Sequence, residues 1–368
     1  MRTLFDVTQL GPMQLKNRLW RSATWLNMAD DKGHVTDRLE KMYIDLAKGG
    51  VGTIITGYAF VREDEQPNPG MLGIYDDIFI PEYREFVQKI KSERVNIVMQ
   101  IVYGGSATNY NVGNRTIWGP SAVPHPAFGV TPTEMTKADI LALEEDFVQA
   151  ARRVKEAGFD GVQLHGAHTY LFSQFLSPYY NRRQDEYGGS IENRGRIIFE
   201  TVRAIREAIG EEYPVLIKMH SSDEWGSNGL TVEDSTIVAK KLEELGITAI
   251  EFSGGNLDVK NYPNKGPAHS DILKPEAQSY FAQYTARIAQ ELTIPVISVG
   301  GNRTPELMER ILNETPIRYF SMSRTLLAEP NLINRWQQGD FSKPRCVSCS
   351  KCWHLDGNIC ILDRKKPK

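Results

Sequence analysis

The sequence predicts a single (β/α)8 barrel of the TIM type, in which helices surround a closed parallel sheet. Eight short apolar runs alternate with longer runs of helical periodicity along the 368 residues. The short runs are mostly apolar rather than alternating, which is typical of strands buried on both faces of a parallel sheet. A doubly wound open sheet is the alternative, but its usual G-x-G-x-x-G after the first strand is absent.

The predicted elements follow one another in a regular order. The strands are residues 18–25, 51–56, 96–102, 161–164, 214–219, 249–252, 295–299 and 317–322. The helices are residues 37–48, 81–94, 137–157, 191–209, 232–245, 277–292, 305–312 and 330–336, several of which end at a glycine that can act as a C-cap. Residues 5–15, with the turn Gly11-Pro12, predict a hairpin at the barrel bottom. We expect the barrel to span residues 1–339 and a small cysteine-rich tail to span residues 340–368.

The composition limits the classes of partner that the protein is expected to bind and the compartment in which it is expected to lie. The chain has 43 basic and 46 acidic residues, a net charge of −3 and no basic stripe, so nucleic acid and anionic membranes are poor partners. It contains no apolar run of membrane-spanning length, and its first residues lack the apolar region of a signal peptide. All four cysteines lie between Cys346 and Cys360. These features predict a cytoplasmic protein.

In such barrels the active site is built from the carboxyl ends of the strands and the loops that follow them. His165, His168 and Tyr170 lie at the end of the fourth predicted strand. Imidazoles and a phenol can bind an oxyanion and supply a proton. The alternative is structural: one histidine caps a loop while Tyr170 packs in the core.

Two polar residues interrupt the apolar strands. Lys218 lies in the fifth strand, where an inward-facing cation would stabilise an anionic ring system. Alternatively, Lys218 forms an ion pair with an acid on a neighbouring strand. Gln100 lies in the third strand, and its amide can both donate and accept, as recognition of a uracil-like edge requires.

The last two strands predict a phosphate site. Gly300 and Gly301 follow the seventh strand, and Arg324 follows the eighth. Backbone N–H groups and a helix N-terminus bind phosphate at this position in many barrels, and arginine adds a fork of donors. Residues 181–196, by contrast, have the composition of a solvated loop.

The same loop is part of a longer stretch that resembles a known protein family. The stretch FDGVQLHGAHTYLFSQFLSPYYNRRQDEYGGSIENRGR, above all its DEYGGS-x-ENR-x-R core, resembles the Old Yellow Enzyme family, also called the NADH:flavin oxidoreductase family. The opening LGPMQLKNR and several strand ends match as well, so the resemblance extends to about Gly339. It is nearest to the branch of bacterial 2,4-dienoyl-CoA reductase, without that enzyme's C-terminal FAD and nucleotide-binding domains.

The resemblance implies non-covalent FMN at the barrel mouth. Gln100 matches the residue at the pyrimidine edge of the flavin, and Lys218 stands near flavin N1 and O2, where the family usually has arginine. The other flavin contacts implied are Ser22, Ala23, Thr24 and Gly57, and the phosphate cradle implied is Gly300, Gly301, Ser323 and Arg324. Ala23 replaces a frequent proline and Ser323 a frequent glycine.

The resemblance also implies a reaction. NAD(P)H would deliver a hydride to flavin N5 and leave. The small-molecule electron acceptor, an electron-poor alkene such as an enone or a dienoyl thioester, would then bind and take that hydride, which makes the cycle ping-pong. His165 and His168 would hold the substrate oxygen, and Tyr170 would protonate the α carbon. A homo-oligomer is compatible with the resemblance, because relatives are often dimers or tetramers.

The four cysteines form a separate motif. Cys346, Cys349, Cys352 and Cys360 are spaced C-x2-C-x2-C-x7-C, which favours zinc, an iron–sulfur cluster or a metal-free remnant of such a site. Multidomain relatives carry a 4Fe–4S cluster here, with somewhat longer spacing.

Two other classes of function remain open at this point. A desolvated Lys218 could form a Schiff base in a lyase or aldolase barrel, and such a protein would lack flavin absorbance. A non-catalytic redox or metal-binding interaction protein could work through the cysteine tail. If NAD(P)H oxidation persists after deletion of the residues beyond about Lys343, the barrel carries the activity.

Overall fold

The computed structural model describes residues 1–258 and 266–364, and its centre is a closed parallel barrel. The barrel strands are β1 (Leu19–Arg21), β2 (Thr53–Ile55), β3 (Asn96–Val102), β4 (Gly161–Gly166), β5 (Val215–His220), β6 (Ala249–Ser253), β7 (Val296–Ser298) and β8 (Tyr319–Met322). Each strand pairs in parallel with the next, and β8 pairs with β1 to close the cylinder. The predicted (β/α)8 fold is confirmed.

Helices cover the outside of the barrel. They are α1 (Asp37–Lys48), α2 (Phe79–Lys91), α3 (Lys137–Glu156), α4 (Leu171–Leu176), α5 (Ile191–Arg194), α6 (Arg196–Ile209), α7 (Val232–Glu244), α8 (Ala282–Ala289), α9 (Pro305–Glu314), α10 (Arg324–Ala328) and α11 (Leu332–Gln337). Their apolar faces and the outward side chains of the strands form the main core. None of the helices in the described ranges is long and apolar enough to cross a membrane.

Two of the predicted helices differ most from the observed ones, and the others differ by at most three residues at either end. The helix predicted over residues 191–209 is divided into α5 and α6 at Gly195, against which the ring of Phe199 packs so closely that a Cβ would lie 2.7 Å from it. The helix predicted over residues 277–292 starts only at Ala282, because Pro275–Ala277 forms a separate 3₁₀ turn. The short helices α4 and α10 were not predicted.

The hairpin closes the bottom of the barrel, as predicted. Strand Thr8–Leu10 pairs antiparallel with Met13–Leu15 across the Gly11-Pro12 turn. Leu10, Met13 and Leu15 are buried against inward residues at the amino ends of the strands. The barrel is therefore sealed at one end, and its chemistry is confined to the other.

Candidate active site

Six polar side chains form a layer inside the barrel, which we call the polar layer. Its members are Ser22, Gln100, Gln163, Lys218, Glu251 and Ser321, each at most 2% exposed. They lie together because parallel register sets Gln100 beside Gln163 and Lys218 beside Glu251. The sequence pointed to Gln100 and Lys218, and the strand pairing supplies their partners.

Glu251 is the centre of the polar layer. Its carboxylate lies 3.2 Å from Lys218 Nζ and accepts hydrogen bonds from Ser22 Oγ at 2.8 Å and Gln163 Nε2 at 3.0 Å. Ser321 Oγ donates to the same carboxylate. A buried carboxylate is stable only when it is paired and hydrogen-bonded in this way. The alternative of an ion pair for Lys218 is therefore what the structure contains.

Lys218 still faces the barrel interior as a candidate flavin contact. Burial lowers the pKa of Lys218, while the charge of Glu251 and the hydrogen bond to it raise that pKa. The ammonium group also donates to Ser22 Oγ at 2.9 Å. The Lys218 ammonium group is thus a positive group whose charge is largely balanced by Glu251 on the neighbouring strand.

The free atom of Gln100 fits a flavin. Its Nε2 donates to Gln163 Oε1 at 2.7 Å, whereas its Oε1 is buried and has no partner among the described residues. Leaving a buried carbonyl oxygen without a donor is costly. An N–H on a pyrimidine edge is the kind of donor that would satisfy it.

His165, His168 and Tyr170 converge at the end of β4. The His165 ring is 5.2 Å from that of His168 and 4.8 Å from that of Tyr170, centroid to centroid. His165 is 2% and Tyr170 9% exposed, whereas His168 is partly exposed. The strand end and the following turn, which includes left-handed residues at His168 and Thr169, bring the three groups together.

Both imidazoles are neutral and can offer an N–H. Burial lowers the pKa of His165 and His168 well below its ordinary value, and the positive charge of Lys218 adds to the effect. His165 Nδ1 accepts the N–H of Ala167 at 3.3 Å, so its proton is on Nε2. His168 Nε2 shares a 2.8 Å hydrogen bond with Ser253 Oγ. If the Ser253 hydroxyl donates to His168 Nε2, the ring proton of His168 lies on Nδ1.

Tyr170 keeps its proton. Burial raises the pKa of its phenol to about 12. Its hydroxyl donates to Tyr58 at 3.0 Å and accepts from Asn68 Nδ2 at 3.0 Å. Tyr170 is therefore a neutral phenol whose hydroxyl is held by side chains from the loop after β2.

The other expected flavin contacts follow β1, β2 and β8. Ser22, Ala23 and Thr24 come directly after β1, and Thr24 Oγ1 lies 2.8 Å from Ser323 Oγ, just beyond β8. Gly57 follows β2 so closely against Thr24 that a Cβ there would lie 2.9 Å from the carbonyl oxygen of Thr24. These contacts form a continuous rim beside the polar layer.

The expected phosphate residues follow β7 and β8. Gly300 and Gly301 have φ values of +113° and +79°, and Tyr280 packs on both, within 2.8 Å of the Cβ that either would carry. Glycine is required because a side chain would be both strained and blocked. Arg324 Nη1 donates to Ser350 Oγ at 2.7 Å, so the tail lies directly beside this cradle.

The cysteine tail does not form the expected metal site. Cys346 and Cys360 are buried, whereas Cys349 and Cys352 are partly exposed, and all four are free thiols. Within residues 1–258 and 266–364, no three or more His, Cys, Asp and Glu side chains are placed to hold a metal ion. The described geometry therefore does not support the zinc and iron–sulfur alternatives for the C-x2-C-x2-C-x7-C motif.

The tail is instead attached to the loops at the barrel mouth. Arg303, after β7, donates to the carbonyl oxygen of Cys346 at 2.8 Å and to Ser348. Asn358 donates from its side chain to the carbonyl oxygen of Trp25 at 3.0 Å, in the loop after β1. The segment thus lies across the edge formed by the ends of β7, β8 and β1.

The loop at residues 181–196, for which composition predicted solvent, is partly buried and partly exposed. Arg183 is 7% exposed and donates to the carbonyl oxygens of Pro120 and Met135. Arg194 donates to the carbonyl oxygen of Leu176 at 2.7 Å and to Asp234 at 3.0 Å. These charged residues fix loops and helices beside the site rather than contacting the mouth.

Sequence reasoning missed several residues at the site. Glu251 carried the same signal as Lys218, a charge within an apolar strand, and could have been found from it. Tyr58, Asn68, His220 and Asp223 had no such signal. His220 and Asp223 contact the β4 turn only because β5 lies beside β4 in the barrel.

The comparisons place this architecture among known proteins. A model described as the NADH:flavin oxidoreductase / NADH oxidase family matches residues 3–342. The NADH oxidase of Thermoanaerobacter brockii is 35% identical over 353 residues, which cover 94% of this chain and 52% of that protein. An NADPH dehydrogenase of Geobacillus sp. is 35% identical over 278 residues, 74% of this chain and 80% of that protein.

Solved structures show the same fold. The old yellow enzyme homologue from Zymomonas mobilis has 22% identity and a TM-score of 0.78, covering 93% of this chain and 94% of its own. The chain spans about half the length of several curated relatives, among them the Thermoanaerobacter protein. The expected resemblance to Old Yellow Enzyme is confirmed, whereas the narrower placement near 2,4-dienoyl-CoA reductase stays a prediction. With the family model matching residues 3–342, this chain belongs to the NADH:flavin oxidoreductase / NADH oxidase family.

Proposed function

We propose that this chain is an FMN-dependent oxidoreductase of the Old Yellow Enzyme type, which transfers a hydride from NAD(P)H to an electron-poor alkene or a similar acceptor. The observation that carries the proposal is the group at the end of β4. There the neutral imidazole of His165 has the neutral imidazole of His168 at 5.2 Å and the protonated phenol of Tyr170 at 4.8 Å, centroid to centroid. The family membership supports flavin as the cofactor.

The residues present fit FMN. Gln100 has a free buried acceptor for the pyrimidine edge, and Lys218 offers a positive group in the same polar layer. Ser22, Ala23, Thr24 and Gly57 would line the ring, and Gly300, Gly301, Ser323 and Arg324 would hold the phosphate. When bound, FMN supplies the hydride chemistry that amino-acid side chains lack.

The two histidines would hold the substrate oxygen. His165 Nε2 carries a proton and has no hydrogen-bond partner among the described residues. His168 Nδ1 has no such partner there either, because the hydrogen bond of this ring is made through Nε2. With the Ser253 hydroxyl donating to His168 Nε2, both rings offer an N–H, and two such donors stabilise negative charge that develops on a carbonyl oxygen. Because both imidazoles are neutral, they would act as donors without giving up a full proton.

Tyr170 would supply the proton to the α carbon. Its pKa of about 12 keeps it protonated at neutral pH, and its hydrogen bonds to Tyr58 and Asn68 fix the hydroxyl. The phenolate left behind would retain the hydrogen bond from Asn68. The site thus separates charge stabilisation, by the histidines, from proton donation, by the tyrosine.

Stopped-flow kinetics of Tyr170→Phe test these roles. We expect reduction of bound flavin by NAD(P)H to stay within about twofold, whereas reoxidation by 2-cyclohexenone slows by about 10²–10⁴-fold. The control is Tyr187→Phe, which removes a buried phenol whose hydroxyl donates to Glu200 at 2.8 Å, away from the β4 turn. Equal losses in both half-reactions would contradict the role of Tyr170. Protein that neither retains nor takes up FMN would refute the proposal and return the Schiff-base alternative for Lys218.

A further inference from the structure

A second pair of buried side chains lies behind His168. His220, the last residue of β5, is 0% exposed, and Asp223 is 4% exposed. His220 Nδ1 lies 2.6 Å from Asp223 Oδ1, and His220 Nε2 accepts the backbone N–H of His168 at 2.7 Å. The pair therefore connects the loop after β5 to the turn after β4 that carries His168, one of the two histidines proposed to bind the substrate oxygen.

These contacts fix the tautomer of His220. Because Nε2 accepts a backbone N–H, it cannot carry a proton, and the ring proton must lie on Nδ1 and be donated to Asp223. Asp223 is itself immobilised, since its Oδ2 accepts the N–H of Leu230 at 2.9 Å and its carbonyl oxygen accepts from Asn256 at 3.0 Å. The acceptor offered to His168 is thus held in place from behind.

The backbone of His168 needs such support. His168 and Thr169 have φ values of +58° and +60°, in the left-handed region that residues with a side chain rarely adopt. Two such residues in succession are unfavourable unless surrounding contacts hold them. The hydrogen bond from His168 N–H to His220 supplies one contact, and the one between His168 Nε2 and Ser253 supplies another.

We propose that His220, oriented by Asp223, is a positioning residue that holds His168 in the left-handed turn and so aims its imidazole at the substrate oxygen. The inference rests on the proposed function, in which His165 and His168 bind that oxygen. His220 does not touch the substrate. Its Nε2 acts only through the backbone of His168, and its effect falls on ligand binding and alkene reduction rather than on flavin reduction by NAD(P)H.

The test compares variants that differ in reach at one position. His220→Leu removes the acceptor, His220→Gln places an amide oxygen near the position of Nε2, and His220→Asn has the same amide on a side chain one methylene shorter. The readout is the dissociation constant of p-hydroxybenzaldehyde, a phenol suited to two imidazole donors, titrated against the absorbance of bound flavin. The rates of flavin reduction by NADPH and of reoxidation by 2-cyclohexenone are measured on the same samples.

We expect His220→Leu to weaken phenol binding about tenfold or more, the effect of losing one hydrogen bond, and to slow reoxidation while flavin reduction stays nearly constant. His220→Gln should restore most of the affinity, and His220→Asn should not. Wild-type affinity in His220→Leu would overturn the inference. If His220→Leu does not fold, equal affinities of the Gln and Asn variants would overturn it instead. A wild-type protein that holds flavin but binds no phenol and reduces no enone would overturn the proposed function, and the inference with it.

Discussion

Replacing Glu251 by glutamine should destabilise the barrel strongly, because it leaves a buried cation without its counter-charge. Glu251 and Lys218 are 0% and 2% exposed, and their charged atoms lie 3.2 Å apart. Glutamine nearly preserves volume and can still accept from Ser22 or Ser321. It cannot preserve the charge, and its amide N–H₂ faces the donors of Lys218 or Gln163.

The magnitude follows from the geometry. At 3.2 Å and an effective dielectric constant of about 20, Coulomb attraction between unit charges is about 5 kcal/mol. Removal of one partner from a buried pair typically costs about 3–5 kcal/mol. We therefore expect the free energy of unfolding to fall by about 3–5 kcal/mol in Glu251→Gln.

The pH dependence has a defined sign. Burial already lowers the pKa of Lys218, and loss of the Glu251 charge removes an interaction that raises it. A lysine whose folded pKa is depressed contributes a penalty that grows as pH falls below the unfolded value of about 10.4. The destabilisation of Glu251→Gln should accordingly be larger at acidic than at alkaline pH.

Urea unfolding without added flavin measures the effect, so that altered cofactor binding does not contribute. The control is Asp45→Asn, which breaks the exposed 2.8 Å pair with Lys41 and should cost less than about 1 kcal/mol. Adding Lys218→Met to Glu251→Gln should recover part of the loss, because no unpaired charge is left. A loss below about 1 kcal/mol in Glu251→Gln, or no recovery in the double variant, would refute the argument.

Two further changes test the cradle and a buried histidine. Gly300→Ala should lower the free energy of unfolding by about 1–3 kcal/mol more than Gly210→Ala does, and it should reduce FMN retention. Both glycines have positive φ, but only at Gly300 would the added Cβ meet a ring, at 2.6 Å. Urea midpoints and bound flavin check this, and equal losses would contradict it. Burial lowers the pKa of His125 to about 3, so its contribution to stability is present above about pH 6.5 and is lost as pH falls toward 3. Wild type should lose about 1.3 kcal/mol more than His125→Asn between pH 7 and 5.5, and parallel pH profiles would contradict this.

The fold could be predicted because barrel strands are buried on both faces and barrel helices on one. Continuous apolar runs and helical periodicity record that difference directly, and β3 and α1 were predicted with their observed bounds. The division at Gly195, against which the ring of Phe199 packs, is not recorded in the helical periodicity and could not be predicted from it. The periodicity of a sequence shows which residues of a helix are buried, but not the shape of the side chains that pack against them.

The site was predicted less evenly, for a related physical reason. A charge in an apolar strand is visible in the sequence, so Lys218 could be singled out, yet whether it is a free cation or half of an ion pair depends on the residue beside it in β6. The role of His220 is similarly invisible, because its partner His168 is 52 residues away along the chain and becomes adjacent only through the pairing of β4 with β5. Single residues thus predict which chemistry is available. The register of neighbouring strands decides which charged side chain lies beside an opposite charge and which hydrogen-bond donor is held in position. In this protein those contacts set the electrostatics of the mouth.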